Sequence, residues 1–296
     1  MVVFCNMKWL LLFLMFCPAL SAYAQLEGMI DLHVHAAPDS DVRSVDAFEV
    51  ARLAQRRGMR ALLFKNHNTH TASLAYLVSQ AVPGVEVYGG ITLNRAVGGI
   101  NPLAVRLMAE TTNGHGRVVW MPTRDSEHAA RNSARSDYVP VSRNGELLPE
   151  VLEVLDVMAN YNLALATGHS SPEESLLLIQ EARARGINRI IVTHPFSGSV
   201  AMTPEIQRMA VEMGSLLEYP ISLALGDDKR FALFVEQLQL VNPTNVALST
   251  DLGQTGRPVP SDGLDFSIRR FIEAGITNSE INIMTKQNPA RFLGLP

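Results

Sequence analysis

Residues 163–194 read LALATGHSSPEESLLLIQEARARGINRIIVTH, and this stretch decides the fold. A short apolar run ends in Thr167-Gly168-His169. Ser171-Pro172-Glu173-Glu174 then supplies an N-cap, a proline at the first helical position and a capping-box Glu at the third. The helical segment Pro172–Arg185 closes on a cation followed by Gly186. A second apolar run, Arg189–His194, again ends in histidine. Strand, helix, strand in this order is the unit of a parallel sheet covered by helices.

Working outward, the same alternation occurs eight times. The apolar runs are Gly28–His35, Arg60–Lys65, Val85–Leu93, Arg117–Pro122, Leu163–His169, Arg189–His194, Ser215–Leu225 and Val246–Asp251. Segments of helical periodicity separate or follow them: Val45–Arg57, Thr71–Ala81, Pro102–Thr111, Pro149–Tyr161, Pro172–Arg185, Pro204–Met213, Lys229–Leu240 and Leu264–Ala274. Eight such units in this length predict one closed (β/α)8 TIM barrel. An open doubly wound sheet is the alternative. It would carry a Gly-rich phosphate turn after an early strand, whereas the first two strands here end in His35 and Lys65. One long polar connection, Arg124 to about Leu148, follows the fourth strand on the face where barrels place their sites.

The N-terminal segment reads differently. Lys8 precedes an apolar run, Trp9–Leu20, and then Ser21-Ala22-Tyr23-Ala24. A basic start, a short apolar core and an A-x-A exit predict a cleavable signal peptide over residues 1–24, with Gln25 the first mature residue. The expected location is therefore outside the cytoplasmic membrane, periplasmic or secreted, with no stable membrane anchor. Both cysteines, Cys5 and Cys17, lie in this segment, so residues 25–296 can form neither a disulfide nor a thiolate site. Without Lys8 the chain has 24 basic and 29 acidic residues, a net of −5. It has no basic tract, which leaves nucleic-acid binding without electrostatic support. The expected partner is a small molecule, and a homo-oligomer is compatible with the sequence.

Barrel sites lie at the C-terminal ends of the strands, and there the sequence concentrates its metal-binding side chains. Met29-Ile30-Asp31-Leu32-His33-Val34-His35 ends the first strand with two histidines two residues apart, which share a face. Lys65 ends the second, His169 the fifth, His194 the sixth and Asp251 the eighth. Neutral imidazole and carboxylate suit a catalytic Zn²⁺, as one ion or two, with other divalent metals compatible. Asp251 is the candidate for moving a proton. His194 would complete a second metal position or polarise the scissile bond. Asp31 is either a support for the histidines or an ordinary strand-end acid.

These features together resemble the amidohydrolase superfamily of metal-dependent hydrolases. The resemblance covers the opening D-x-H-x-H, the strand-five and strand-six histidines, the strand-eight Asp and the closing Asn288-Pro289-Ala290-Arg291-Phe292-Leu293-Gly294-Leu295. It implies a metal-activated water acting on an amide, lactone or ester. Members also cleave phosphoesters, deaminate bases and, in one branch, decarboxylate. That branch holds one metal with the H-x-H pair, the strand-five histidine and the Asp.

Many two-metal members bridge their ions with a carboxylated lysine or a glutamate from strand four. The present strand four, Val118-Val119-Trp120-Met121-Pro122-Thr123, has neither. Lys65 has two readings. As a desolvated amine it could take up CO₂ and bridge from strand two, where the D-aminoacylase branch places a cysteine. As an ammonium it could anchor a substrate carboxylate or pair with Asp251. His67 shares its face if the strand continues, as a ligand or a substrate contact. Arg43, Arg95 and Arg124 follow strands one, three and four, and guanidinium groups near the mouth would suit an anionic substrate. Tyr138 and Arg143, in the long connection, would close over it. The expected function is metal-dependent hydrolysis of a small, anionic molecule. The alternatives are a mononuclear decarboxylase and a non-catalytic ligand-binding barrel.

Overall fold

A computed structural model describes residues 26–296. The signal peptide expected over residues 1–24 lies outside the described residues. Eight parallel strands form one sheet in sequential order: β1 Ile30–Val34, β2 Ala61–Phe64, β3 Glu86–Thr92, β4 Gly116–Trp120, β5 Ala164–Ala166, β6 Ile190–Val192, β7 Leu216–Pro220 and β8 Val246–Ser249. Each is followed by a helix: α1 Ala47–Arg56, α2 Ala72–Ala81, α3 Pro102–Ala109, α4 Pro149–Asn160, α5 Pro172–Ala184, α6 Pro204–Glu212, α7 Asp228–Val241 and α8 Pro260–Glu273. This is the (β/α)8 barrel expected from the alternation. The capping box read at Ser171 and Glu174 forms at the start of α5.

Alternation along the strands separates two cores. Ala61, Leu63, Val118, Trp120, Ala164, Ala166, Ile191, Leu216 and Ala247 fill the barrel interior. Their neighbours Leu62, Phe64, Val119, Leu165, Val192, Leu217 and Leu248 pack outward under the helices. The interior is closed below by Phe292 and Leu293 from the terminal helix Asn288–Leu293. Asn288 ties that helix to the start of β8, its Nδ2 donating to the carbonyls of Thr244 and Val246 at 2.9 and 2.7 Å. The N-P-A-R-F-L-G-L run is thus the floor of the barrel and takes no part at its mouth.

The barrel closes at the upper ends of β1 and β8. The Asp251 N–H donates to the His33 carbonyl at 2.8 Å, and the His35 N–H to the Leu252 carbonyl at 2.9 Å. The side chain of Asp31 adds a clasp. It accepts from the Thr250 N–H at 2.9 Å, the Thr250 hydroxyl at 2.6 Å and the His33 N–H at 3.1 Å. The register of β1 on β2 shifts between Asp31 and Val34. One extra residue there re-phases the strand, so that Ile30 and Leu32 pack in the interior and His33 and His35 also face the barrel axis above them.

The long connection differs from its expectation. It folds as a short helix, Glu127–Asn132, and a hairpin, Ser142–Arg143 with Glu146–Leu147. The Ser142 hydroxyl donates to Glu174 at 2.8 Å, drawing the hairpin onto the start of α5. Tyr138 lies under the Arg131 guanidinium, and Arg143 lines a separate surface cavity with it. Neither lines the cavity at the barrel mouth: Tyr138 is held by Arg131, and Arg143 goes with the hairpin that Ser142 draws onto α5. Among the described residues no helix is long and apolar enough to cross a membrane.

Candidate metal centre

A cavity of about 270 Å³ opens at the C-terminal ends of the strands. Its walls include His33, His35, Lys65, His67, His169, His194 and Asp251. Each follows its strand by one to three residues or, for His33, lies within it. Two are held in left-handed backbone, His194 at φ 27° and Asp251 at φ 48°. Non-glycine residues in this region are strained, and such strain gathers at functional sites. Glycines set two of the turns. At Gly168, φ 64°, a Cβ would lie 2.2 Å from the Met121 carbonyl oxygen. At Gly253, φ 114°, it would lie 1.8 Å from the His35 carbonyl oxygen. Only glycine lets the chain turn this tightly beside His169 and Asp251.

His33, His35 and Asp251 each offer a ligand atom, all within 4.8 Å of one another. Asp251 Oδ1 lies 3.2 Å from His33 Nε2 and 3.1 Å from His35 Nε2. Ligands about 2.0–2.2 Å from one ion and roughly 90–110° apart are separated by about 3.0–3.4 Å. Two edges of the triad therefore have the length found between ligands of one ion, and the His35 Nε2–Asp251 Oδ1 edge is also a hydrogen bond. His33 Nε2 is buried and has no hydrogen-bond partner, as an atom with its lone pair reserved for a metal would be. The residues present fit a divalent ion at this point.

The protonation states agree. Burial pushes His35 and His194 down to about 4 and His169 well below the usual range, which keeps these rings neutral and able to ligate. For Asp251, burial pushes the carboxyl up, but His33 and His35 outweigh it and hold the group well below the ordinary carboxylate value. Burial raises Asp31 to about 6 against its three hydrogen bonds.

His169 and His194 form the other side of the cavity, with ring centroids 4.8 Å apart. His194 Nδ1 bonds the Ser197 hydroxyl at 2.9 Å. His169 stands outside the three-residue cluster, so the expected convergence of four ligands is met by three side chains with His169 beside His194. Lys65 is buried, and its amine lies 5.8 Å from the centre of the Trp120 ring. It has no ion-pair partner among the described residues, Asp251 included. Burial lowers it to about 8.

His67 presents a donor. Asn94 Oδ1 accepts from the Thr123 N–H, so its Nδ2 faces and donates to Thr123 Oγ1 at 2.9 Å. The Thr123 hydroxyl proton is left for His67 Nδ1, at 2.9 Å. His67, stacked on His35 with centroids 5.2 Å apart, then carries its proton on Nε2.

The three arginines part company. Arg124 lines the cavity, half-exposed, with Asp41 at 2.6 Å. Arg43 is buried between Asp39 and Asp41 and braces the loop after β1, away from the cavity wall. Arg95 is exposed and pairs with Asp137. Their carboxylate partners, not their strand positions, decide where they point.

One residue of the site was missed in the sequence. Glu218, in the middle of β7, is 2% exposed and shares the inward parity of Leu216. Its Oε1 accepts from His33 Nδ1 at 2.7 Å and from the Ser249 hydroxyl at 2.7 Å. Burial pushes its carboxyl up, but His33 reverses the shift and the net direction is down.

Known structures share the architecture. A mutant PTE-like lactonase from Deinococcus radiodurans superposes with a TM-score of 0.59 at 17% identity, over 92% of this chain and 97% of that one. An amidohydrolase from Burkholderia multivorans with bound HEPES gives 0.57 at 10% identity, over 90% and 99%. The 2,6-dihydroxybenzoate decarboxylase from Rhizobium gives 0.56 at 10%, over 90% and 99%. A search of the curated proteins finds no match. The chain thus shares the barrel fold of these structures, and the match of residues 28–218 to a family model places it in the family of unknown function DUF6282.

Proposed function

We propose that the chain is a metal-dependent hydrolase of a small, anionic amide, lactone or ester. The observation that carries this is the His33–His35–Asp251 cluster, with edges of 3.1 and 3.2 Å and an unpartnered buried Nε2 on His33. Two imidazoles and a carboxylate suit Zn²⁺, with His169, His194 and Lys65 completing one or two positions. When bound, the ion would supply Lewis acidity, polarising a carbonyl and acidifying water. Asp251, ionised and within reach of the cavity, can take a proton from the attacking water and pass it to the leaving group. His67 Nε2–H can hydrogen-bond the substrate carbonyl. Arg124, and Lys65 where it is an ammonium, bring positive charge to a cavity that Pro220 and Leu223 also line. A volume of about 270 Å³ restricts the substrate to a small molecule.

Lys65 is assigned either as a carbamate, formed by attack of the neutral amine on CO₂ with release of a proton, or as the ammonium anchor. A decarboxylase is the second reading. It is favoured by β4, whose upper residues offer no anionic bridge: Thr123 is committed to Asn94 and His67. The lactonase and decarboxylase neighbours are compatible with either reading.

The test is a panel of carboxylated and neutral lactones, esters and amides, together with aromatic carboxylates. It is run on chelated and on Zn²⁺-reconstituted protein. Hydrolysis that disappears on chelation and returns with metal supports the proposal. CO₂ release without hydrolysis supports the decarboxylase. No turnover with metal bound supports a binding barrel. We also propose that residues 1–24 direct export, which an exported protein beginning at Gln25 would support.

A further inference from the structure

We propose that Glu218 is the positioning residue that makes His33 a metal ligand, by holding the proton on Nδ1 and leaving Nε2 for the ion. This rests on the metal-centre reading above. The geometry is direct. A neutral imidazole has one N–H, and a carboxylate oxygen 2.7 Å from Nδ1 claims it. The other nitrogen, Nε2, is then an acceptor, and it lies 3.2 Å from Asp251 with no hydrogen-bond partner. His35 has no such support. Its Nδ1 is buried and unpartnered, and its side chain bonds through Nε2 to Asp251 Oδ1 at 3.1 Å, so of the two histidines only His33 has its Nδ1 held by the protein.

The position of Glu218 argues for a role beyond packing. The interior sites around it hold Leu216, Ala247 and Ile191. A carboxylate in this layer is desolvated, and Glu218 Oε2 has no partner at all. A buried unpaired oxygen lowers stability, and an apolar side chain would fill the layer without that cost. Ser249, next inward-facing residue on β8, donates to the same Oε1 and aims it at His33. An acidic partner also raises the electron density of a ligating imidazole and so its affinity for metal.

The experiment measures Zn²⁺ affinity by competition with a chromophoric chelator, using residues 25–296 of wild type, Glu218→Gln, Ser249→Ala, His33→Ala and the His33→Ala/Glu218→Gln double variant. Glu218→Gln should weaken binding about 10- to 100-fold, and Ser249→Ala by less. In the His33→Ala background, Glu218→Gln should cause no further loss, an outcome that a general structural role would not give. Nitrogen-15 NMR of the metal-loaded wild type should show His33 protonated at Nδ1, a readout that needs no variant to fold. Unchanged affinity in Glu218→Gln, additive losses in the double variant, or His33 protonated at Nε2 would each overturn the assignment while the metal centre stands. A wild type that binds no Zn²⁺ would overturn the metal centre and this inference with it.

Discussion

Replacing Asp31 by Asn should remove a pH dependence that this barrel carries at its seam. Asp31 is fully buried, and burial raises its carboxyl from 3.8 to about 6 despite hydrogen bonds from Thr250 and His33. A carboxyl raised in the folded state favours the protonated form. Its contribution is fully present below 3.8 and is lost as pH rises through about 6. The gap between those values corresponds to about 3 kcal/mol. Asn can replace the protonated acid with little change. Its Oδ1 accepts from the Thr250 and His33 N–H groups, and its Nδ2 donates to Thr250 Oγ1, whose own proton turns to the His33 carbonyl at 3.2 Å. Urea unfolding of chelator-treated wild type and Asp31→Asn should therefore give similar stabilities near pH 4. At pH 7.5 the variant should be the more stable by about 3 kcal/mol, with the difference developing around pH 6. A difference that is constant with pH would refute the reasoning. So would a variant that is the weaker at neutral pH, because Asp31 would then be a stabilising anion.

Three further outcomes follow from the same geometry. In chelator-treated wild type, His35 and His194, lowered from 6.5 to about 4, should make an opposite contribution. It is fully present above pH 6.5 and lost as pH falls toward 4, and variants lacking either ring should unfold less steeply with acid. Gly253→Ala should lower stability by at least about 2 kcal/mol in thermal unfolding, because its φ of 114° and a Cβ 1.8 Å from the His35 carbonyl leave no unstrained conformation. Lys65→Ala should lose an equivalent of bound metal, recovered with formate, if Lys65 bridges as a carbamate; unchanged metal content with a raised KM would identify the ammonium anchor.

The sequence made the barrel legible because the chain announces every unit locally. Ser171-Pro172 and Thr203-Pro204 cap helices where they begin, and each strand is a short apolar run. His33, His35 and Asp251 were legible for the same reason, since each sits where an apolar run stops. What escaped depends on partners distant in sequence. Arg43 and Arg95 have the strand-end positions of mouth residues, but Asp39, Asp41 and Asp137 pull them aside. The clasp of Asp31 joins residues 219 apart. The extra residue in β1 cannot be seen without β2 beside it. Glu218 did leave a trace: an acid inside the buried run Leu216–Pro220 is unexpected in a barrel strand, and its parity points inward. Strand seven ends in no histidine or aspartate, so the strand-end pattern that marks the other site residues does not mark it.

Anomalous diffraction at the zinc edge, from crystals of the Zn²⁺-reconstituted protein, tests the metal centre most directly. A peak is expected at the barrel mouth within about 2.0–2.2 Å of His33 Nε2, His35 Nε2 and an Asp251 oxygen, with His33 Nδ1 still on Glu218. An ion held elsewhere, or a mouth without a peak while the protein binds Zn²⁺ in solution, would contradict it.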